Sequence, residues 1–86
     1  MGQKKVKMYT LSTCSHCRAA KQWMTNHGIE FEYTDVDLLT GEERKDMIRE
    51  VREYNPNTTF PTIVIGEEVI IWNEDAQFKK ALGLED

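Results

Sequence analysis

The chain holds two cysteines, Cys14 and Cys17, two residues apart, at the point where an apolar strand-like run gives way to a helix-like one. That junction constrains the fold more than any other feature. A strand that runs into Cys-x-x-Cys and opens a helix is the context in which a dithiol is read as a redox centre. Three readings of the pair compete. A structural disulfide between residues three apart closes so short a loop that it restrains the unfolded chain very little. A zinc site asks for about four ligands, and only His16 and His27 stand ready to join the cysteines. Redox chemistry needs the two thiols alone and is preferred. An iron–sulfur cluster or metal carrier built on Cys14 is the alternative, and no resident metal site is expected.

A helix that starts at the motif leaves backbone N–H groups without partners in its first turn. Its dipole adds roughly half a positive charge there. Both favour a thiolate, so Cys14 is the expected nucleophile. Cys17, one turn further on and less exposed, is the expected resolving thiol. His16 lies between them. It is either an exposed spacer or an imidazole that favours the Cys14 thiolate by charge or hydrogen bond, with Arg18 as a second cationic neighbour.

The rest of the chain spells alternating elements. Val6 to Leu11 alternates as a strand, with Val6, Met8 and Thr10 on one face. Ser12 and Thr13 are good helix N-caps. Residues 16–27 run without Pro or Gly, with Ala20, Trp23, Met24 and His27 at helical spacing, and Gly28 supplies the stop. Residues 31–36 read as a second strand. Thr40-Gly41-Glu42-Glu43 spells a capping box for a helix over residues 41–54, whose buried stripe is Met47, Ile48, Val51 and Tyr54. Asn55-Pro56-Asn57 ends it. Residues 62–65 form a short apolar strand, Gly66-Glu67-Glu68 a tight turn, and residues 69–72 the antiparallel return. Asn73 is read as the cap of a last helix reaching Leu82, with Glu74 and Asp75 in its first turn. Phe78, Ala81 and Leu82 are its packed side and Gly83 its end. The order β-α-β-α-β-β-α predicts one α/β domain over residues 1–86. Its four-stranded mixed sheet, flanked by three helices, pairs the first two strands parallel and the last two antiparallel.

Charge and hydropathy exclude other classes. A net charge of −4 argues against a nucleic-acid-binding face, and the short cluster Lys4, Lys5 and Lys7 is read as solubilising. No apolar run approaches the ~20 residues of a membrane helix. The polar, basic start from Met1 to Lys7 has no apolar signal core. A cytoplasmic, reducing location is therefore expected, with the protein a monomer away from membranes.

Tyr9-Thr10 before the motif, Cys14-Ser15-His16-Cys17 itself, and Thr59-Phe60-Pro61 before an apolar strand together resemble the glutaredoxin family, across nearly the whole chain. The resemblance implies the thioredoxin fold, with Pro61 in cis opposite the cysteines. A proline ahead of a central strand also removes a ladder donor, which suits a purposeful turn. The residue-60 backbone is then free to pair with an extended thiol peptide. The activity implied is a glutaredoxin-like thiol–disulfide oxidoreductase that reduces protein or glutathione mixed disulfides and serves electron transfer and redox homeostasis. Glutathione is the implied co-substrate, a thioredoxin-reductase-like flavoenzyme the alternative electron donor, and no cofactor is tightly bound. The substrate-facing residues so marked are Thr13, Ser15, Thr59, Phe60, Pro61, Asn73, Glu74 and Asp75. The chain departs from glutathione-using members at Leu11, where they often carry Lys. It also departs at Ile70-Ile71-Trp72-Asn73-Glu74-Asp75, which lacks their Gly-Gly.

Overall fold

A computed structural model describes residues 4–84. Its elements are β1 (Val6–Thr10), α1 (Ser15–Asn26), β2 (Glu32–Asp35), a single 3-10 turn (Val36–Leu38), α2 (Gly41–Tyr54), β3 (Thr62–Ile65), β4 (Glu68–Ile71) and α3 (Asp75–Leu82). The strands lie in the order β2-β1-β3-β4. β1 runs parallel to β2, with Met8 opposite Tyr33, and antiparallel to β3, with Met8 opposite Ile63. β3 and β4 are antiparallel neighbours. This is the expected four-stranded mixed sheet with three helices, a thioredoxin-like fold.

The sheet is central because β1 is apolar enough to be covered twice. Val6, Met8, Ile63, Ile65 and Ile70 form one face, packed by Ala20, Trp23 and Met24 from α1 and by Phe78 and Ala81 from α3. Each large side chain buried there contributes about 1.5–3 kcal/mol. On the other face Tyr9 stacks on Tyr54 of α2 with ring centres 5.9 Å apart. The Tyr9 hydroxyl donates to the Glu50 carboxylate, which also accepts from Lys7 Nζ at 3.1 Å. Burial, then that carboxylate, raises the Tyr9 phenol above its ordinary value, while the Tyr9 donation, then Lys7, holds Glu50 low.

Several element ends differ from expectation. Thr40 does precede α2, but its side chain makes no capping bond. Gly41 enters the helix at φ +58, so the capping box is not formed. Tyr54, expected in the buried stripe, is 41% exposed because only one face of its ring meets Tyr9. The β3–β4 hairpin needs only two loop residues, with Gly66 at φ +61 taking the left-handed position, so Glu68 already belongs to β4. Trp72 falls outside the strand at φ +85. The N-cap of α3 is Glu74, one residue later than expected, since Asn73 is engaged elsewhere. Gly83 closes α3 in the left-handed conformation, as expected. Met1 to Gln3, part of the basic start, lie outside the described residues. Among the described residues no helix is long and apolar enough to cross a membrane.

Candidate active site

β1 delivers the chain to one end of the sheet, and Leu11 to Thr13 turn it into α1. The cap of α1 is Cys14 itself, not Ser12 or Thr13. Its N–H donates to Leu11 O at 3.2 Å and its Sγ accepts the Cys17 N–H at 3.2 Å. Ser12 is drawn away because its N–H and hydroxyl both donate to the Asp37 carboxylate, at 2.8 and 2.5 Å. Those two bonds, hydroxyl first, hold the Asp37 acid below its usual range. They also pin the approach to the motif onto the 3-10 turn.

The cysteines are unlike one another. Cys14 is partly exposed, whereas Cys17 is fully buried on α1. The Cys17 Sγ accepts the Leu11 N–H at 3.4 Å. Burial, followed by its hydrogen bond to Cys14, pushes the Cys17 thiol up to about 12, with the Leu11 amide and the Lys21 charge pulling the other way. An accessible sulfur at a helix start and a guarded one behind it is the division of labour a nucleophile and a resolving thiol need.

β3 starts beside the end of β1, with Thr62 opposite Tyr9, so Pro61 sits at the same end of the sheet as the two cysteines. The Phe60–Pro61 peptide bond is cis, as the resemblance implied. Phe60 is half-buried, and among the described residues its backbone N–H and C=O make no hydrogen bond. The loop is held from beneath by Asn55, which is 1% exposed. Its Nδ2 lies 3.1 Å from Thr59 O, 2.9 Å from Thr59 Oγ1 and 3.1 Å from Thr62 Oγ1. Its Oδ1 accepts the Asn57 N–H at 3.1 Å. In sequence Asn55 reads only as a helix stop. Its Asx-type chemistry after a helix was a usable signal, but its contacts to Thr59 and Thr62 were not visible from spacing.

A third loop completes the rim. The Trp72 N–H donates to Pro61 O at 2.9 Å. The indole lies against the His16 imidazole in a tilted pair, with ring centres 4.0 Å apart and planes at 36°. His16 Nδ1 lies 3.2 Å from Asn73 Oδ1, and since an amide oxygen only accepts, Nδ1 carries the proton in this pairing. The structure therefore ties His16 to Trp72 and Asn73. Thr13 is exposed on the motif loop, Ser15 at the first position of α1 and Thr59 on the proline loop, whereas Glu74 and Asp75 are exposed at the head of α3 without a hydrogen bond to the motif. Two surface hollows of about 300 and 390 Å³ lie elsewhere, one along Lys4, Val6 and Phe31, the other along Leu39, Met47 and Glu50. Among the described residues no group of three or more His, Cys, Asp or Glu stands together to hold a metal ion.

Comparison with known proteins agrees with this geometry. The family model described as Glutaredoxin matches residues 6–70. The crystal structure of Methanosarcina acetivorans methanoredoxin is 37% identical, with TM-score 0.87, covering 96% of this chain and 96% of that one. A glutaredoxin from Methanosarcina mazei is 40% identical with TM-score 0.84, covering 93% of this chain and 79% of that one. A glutaredoxin from Archaeoglobus fulgidus is 32% identical with TM-score 0.85, covering 93% and 87%. Among curated proteins none matches the chain.

Proposed function

The chain belongs to the glutaredoxin family, and on that basis we propose that it is a dithiol thiol–disulfide oxidoreductase acting through Cys14 and Cys17. One observation carries the proposal: Cys14 Sγ caps α1 as a hydrogen-bond acceptor, while Cys17 is buried one turn behind it. An acceptor sulfur at a helix start is the role a thiolate fills. The Cys14 thiolate attacks one sulfur of a substrate disulfide. A Cys14–substrate disulfide forms, and the first substrate sulfur leaves as a thiolate that takes up a proton. Cys17 then gives up its proton and attacks Cys14 Sγ. The Cys14–Cys17 disulfide forms, and the second substrate sulfur leaves and is protonated. Two thiols of this chain have been oxidised and one substrate disulfide reduced.

The return of two electrons and two protons falls to glutathione or to a thioredoxin-reductase-like flavoenzyme. The substrates are protein disulfides or glutathione mixed disulfides, met by a monomer in a reducing, cytoplasmic setting. The free backbone of Phe60 beside Pro61 supports the docking of an extended thiol peptide there, flanked by Thr59 and by Thr13 and Ser15 across the cleft. Asn73, Glu74 and Asp75 supply polar groups on the far side.

The test supplies a mixed disulfide and NADPH, with glutathione and glutathione reductase in one arm and thioredoxin reductase in the other. Turnover is expected in at least one arm, none with Cys14→Ser, and a trapped mixed disulfide with Cys17→Ser. Inactivity in both arms sinks the oxidoreductase proposal.

A further inference from the structure

Trp72 carries a combination of features that the fold alone does not demand. It is a bulky residue at φ +85, in the region where glycine is at ease and large side chains are rare. Strain of this kind persists where the surroundings over-determine it, and it gathers at functional sites. Here the proline loop and the first turn of α1 fix it. Its N–H is held by Pro61 O, its ring by His16, and its neighbour Asn73 by the His16 Nδ1. Yet the residue is 42% exposed, beside His16 of the motif. The β3–β4 register, continued by one residue, sets Trp72 opposite Pro61, and the unpaired Phe60 backbone is the next residue along. Two exposed carboxylates, Glu74 and Asp75, follow at the head of α3.

We propose that Trp72 sets the substrate preference of this site, offering its exposed indole to an apolar side chain flanking the cysteine of a polypeptide disulfide. A polypeptide lying extended along Phe60 brings its neighbouring side chain to the indole. The compact disulfide of glutathione has no apolar side chain to place there, and it brings carboxylates towards Glu74 and Asp75. This inference rests on the oxidoreductase proposal above and names its preferred substrate class.

The test follows the oxidation of pre-reduced protein, without any electron donor, by three disulfides. These are a symmetric peptide disulfide with Leu beside each Cys, the same peptide with Ser in place of Leu, and oxidised glutathione. Trp72→Gly suits φ +85 and so preserves the backbone, while Trp72→Phe keeps an aromatic face. The wild type is expected to prefer the Leu-flanked peptide over both other disulfides. Trp72→Gly should lower that preference roughly tenfold, the scale of one lost aromatic–apolar contact, and Trp72→Phe should restore most of it. A preference left intact by Trp72→Gly, a wild type without preference, or an equal loss on all three substrates would overturn the inference while leaving the activity standing. Wild-type protein inert towards all three would overturn the oxidoreductase proposal and this inference with it.

Discussion

Asn55 is the buried polar side chain on which the proline loop rests, and removing its amide should damage stability and activity together. In Asn55→Ala the two N–H groups that serve Thr59 O, Thr59 Oγ1 and Thr62 Oγ1 disappear. Thr59 O is not orphaned, because it keeps the Thr62 hydroxyl at 2.8 Å. Asn57 is exposed, so its N–H can turn to water. The loss is thus close to two buried hydrogen bonds at ~1 kcal/mol each, plus a small void, or about 2 to 3 kcal/mol in all. In a domain of this size each 1 kcal/mol lowers Tm by roughly 4–8 °C, which places the expected fall near 10–20 °C. Urea unfolding followed by tryptophan fluorescence gives the free energy, and kcat/KM on a peptide disulfide well below Tm gives the functional consequence. The rate should fall further than the unfolded fraction explains, because Thr59 and Phe60 lose their support. A stability change below ~0.5 kcal/mol, the size of an ordinary surface substitution, would refute the reasoning. A destabilised variant with unchanged kcat/KM would show that Asn55 serves the fold alone.

Three other expectations can be checked. The folded Cys17 thiol, pushed up to about 12, keeps a proton that the unfolded chain surrenders near ~8.5. Its stabilisation is therefore complete below that unfolded value and is lost as pH rises towards the folded one. Reduced protein should lose urea resistance above pH ~8.5 more steeply than Cys17→Ala does, and parallel curves would contradict the assignment. Asp37, held low by Ser12, works in the opposite direction: its contribution is present above the ordinary Asp value of ~3.9 and is lost as pH falls through the depressed one. Asp37→Asn should flatten the acid limb of a circular-dichroism titration, and an unchanged limb would count against the Ser12 contact. Phe78, fully buried against Trp23 with ring centres 5.2 Å apart, should cost about 3–5 kcal/mol when cut to Ala. A loss under 1 kcal/mol by denaturant titration would be inconsistent with its place in the core.

The element order was readable because Gly28, Pro56, Gly66 and Gly83 punctuate segments whose apolar spacing is unambiguous. The placement of Pro61 opposite Cys14 and Cys17 came from the resemblance to the glutaredoxin family rather than from that order, and the β1–β3 register agrees with it. What could not be read was which side chain reaches which partner across the fold. Ser12 is an excellent cap by type, yet Asp37, 25 residues away, takes both of its donors. Asn73 is another, yet its oxygen meets His16, 57 residues back. Thr40 and Glu43 have the right spacing for a capping box, and the left-handed Gly41 between them defeats it. In sequence Trp72 reads as the end of the antiparallel return. Its positive φ and its contact with His16 arise only when α1, the proline loop and the segment after β4 meet. Local preference set the elements, and long-range partners set the ends and the rim.

Cys14 is both the nucleophile of the proposed reaction and the cap of α1. In that proposed reaction the cap makes the helix a participant. The acceptor of the Cys17 N–H is the same sulfur that the proposed reaction oxidises and reduces. Sulfur is a weak acceptor as a thiol, and hydrogen bonds to a charged acceptor are stronger than to a neutral one. A Cys14 thiolate therefore fastens the first turn of α1 more firmly than a Cys14 bonded to another sulfur does. By reciprocity, whatever fastens that turn also favours the reduced form by an equal free energy. Solvent exchange at a single amide, that of Cys17, should report where the molecule stands in its cycle.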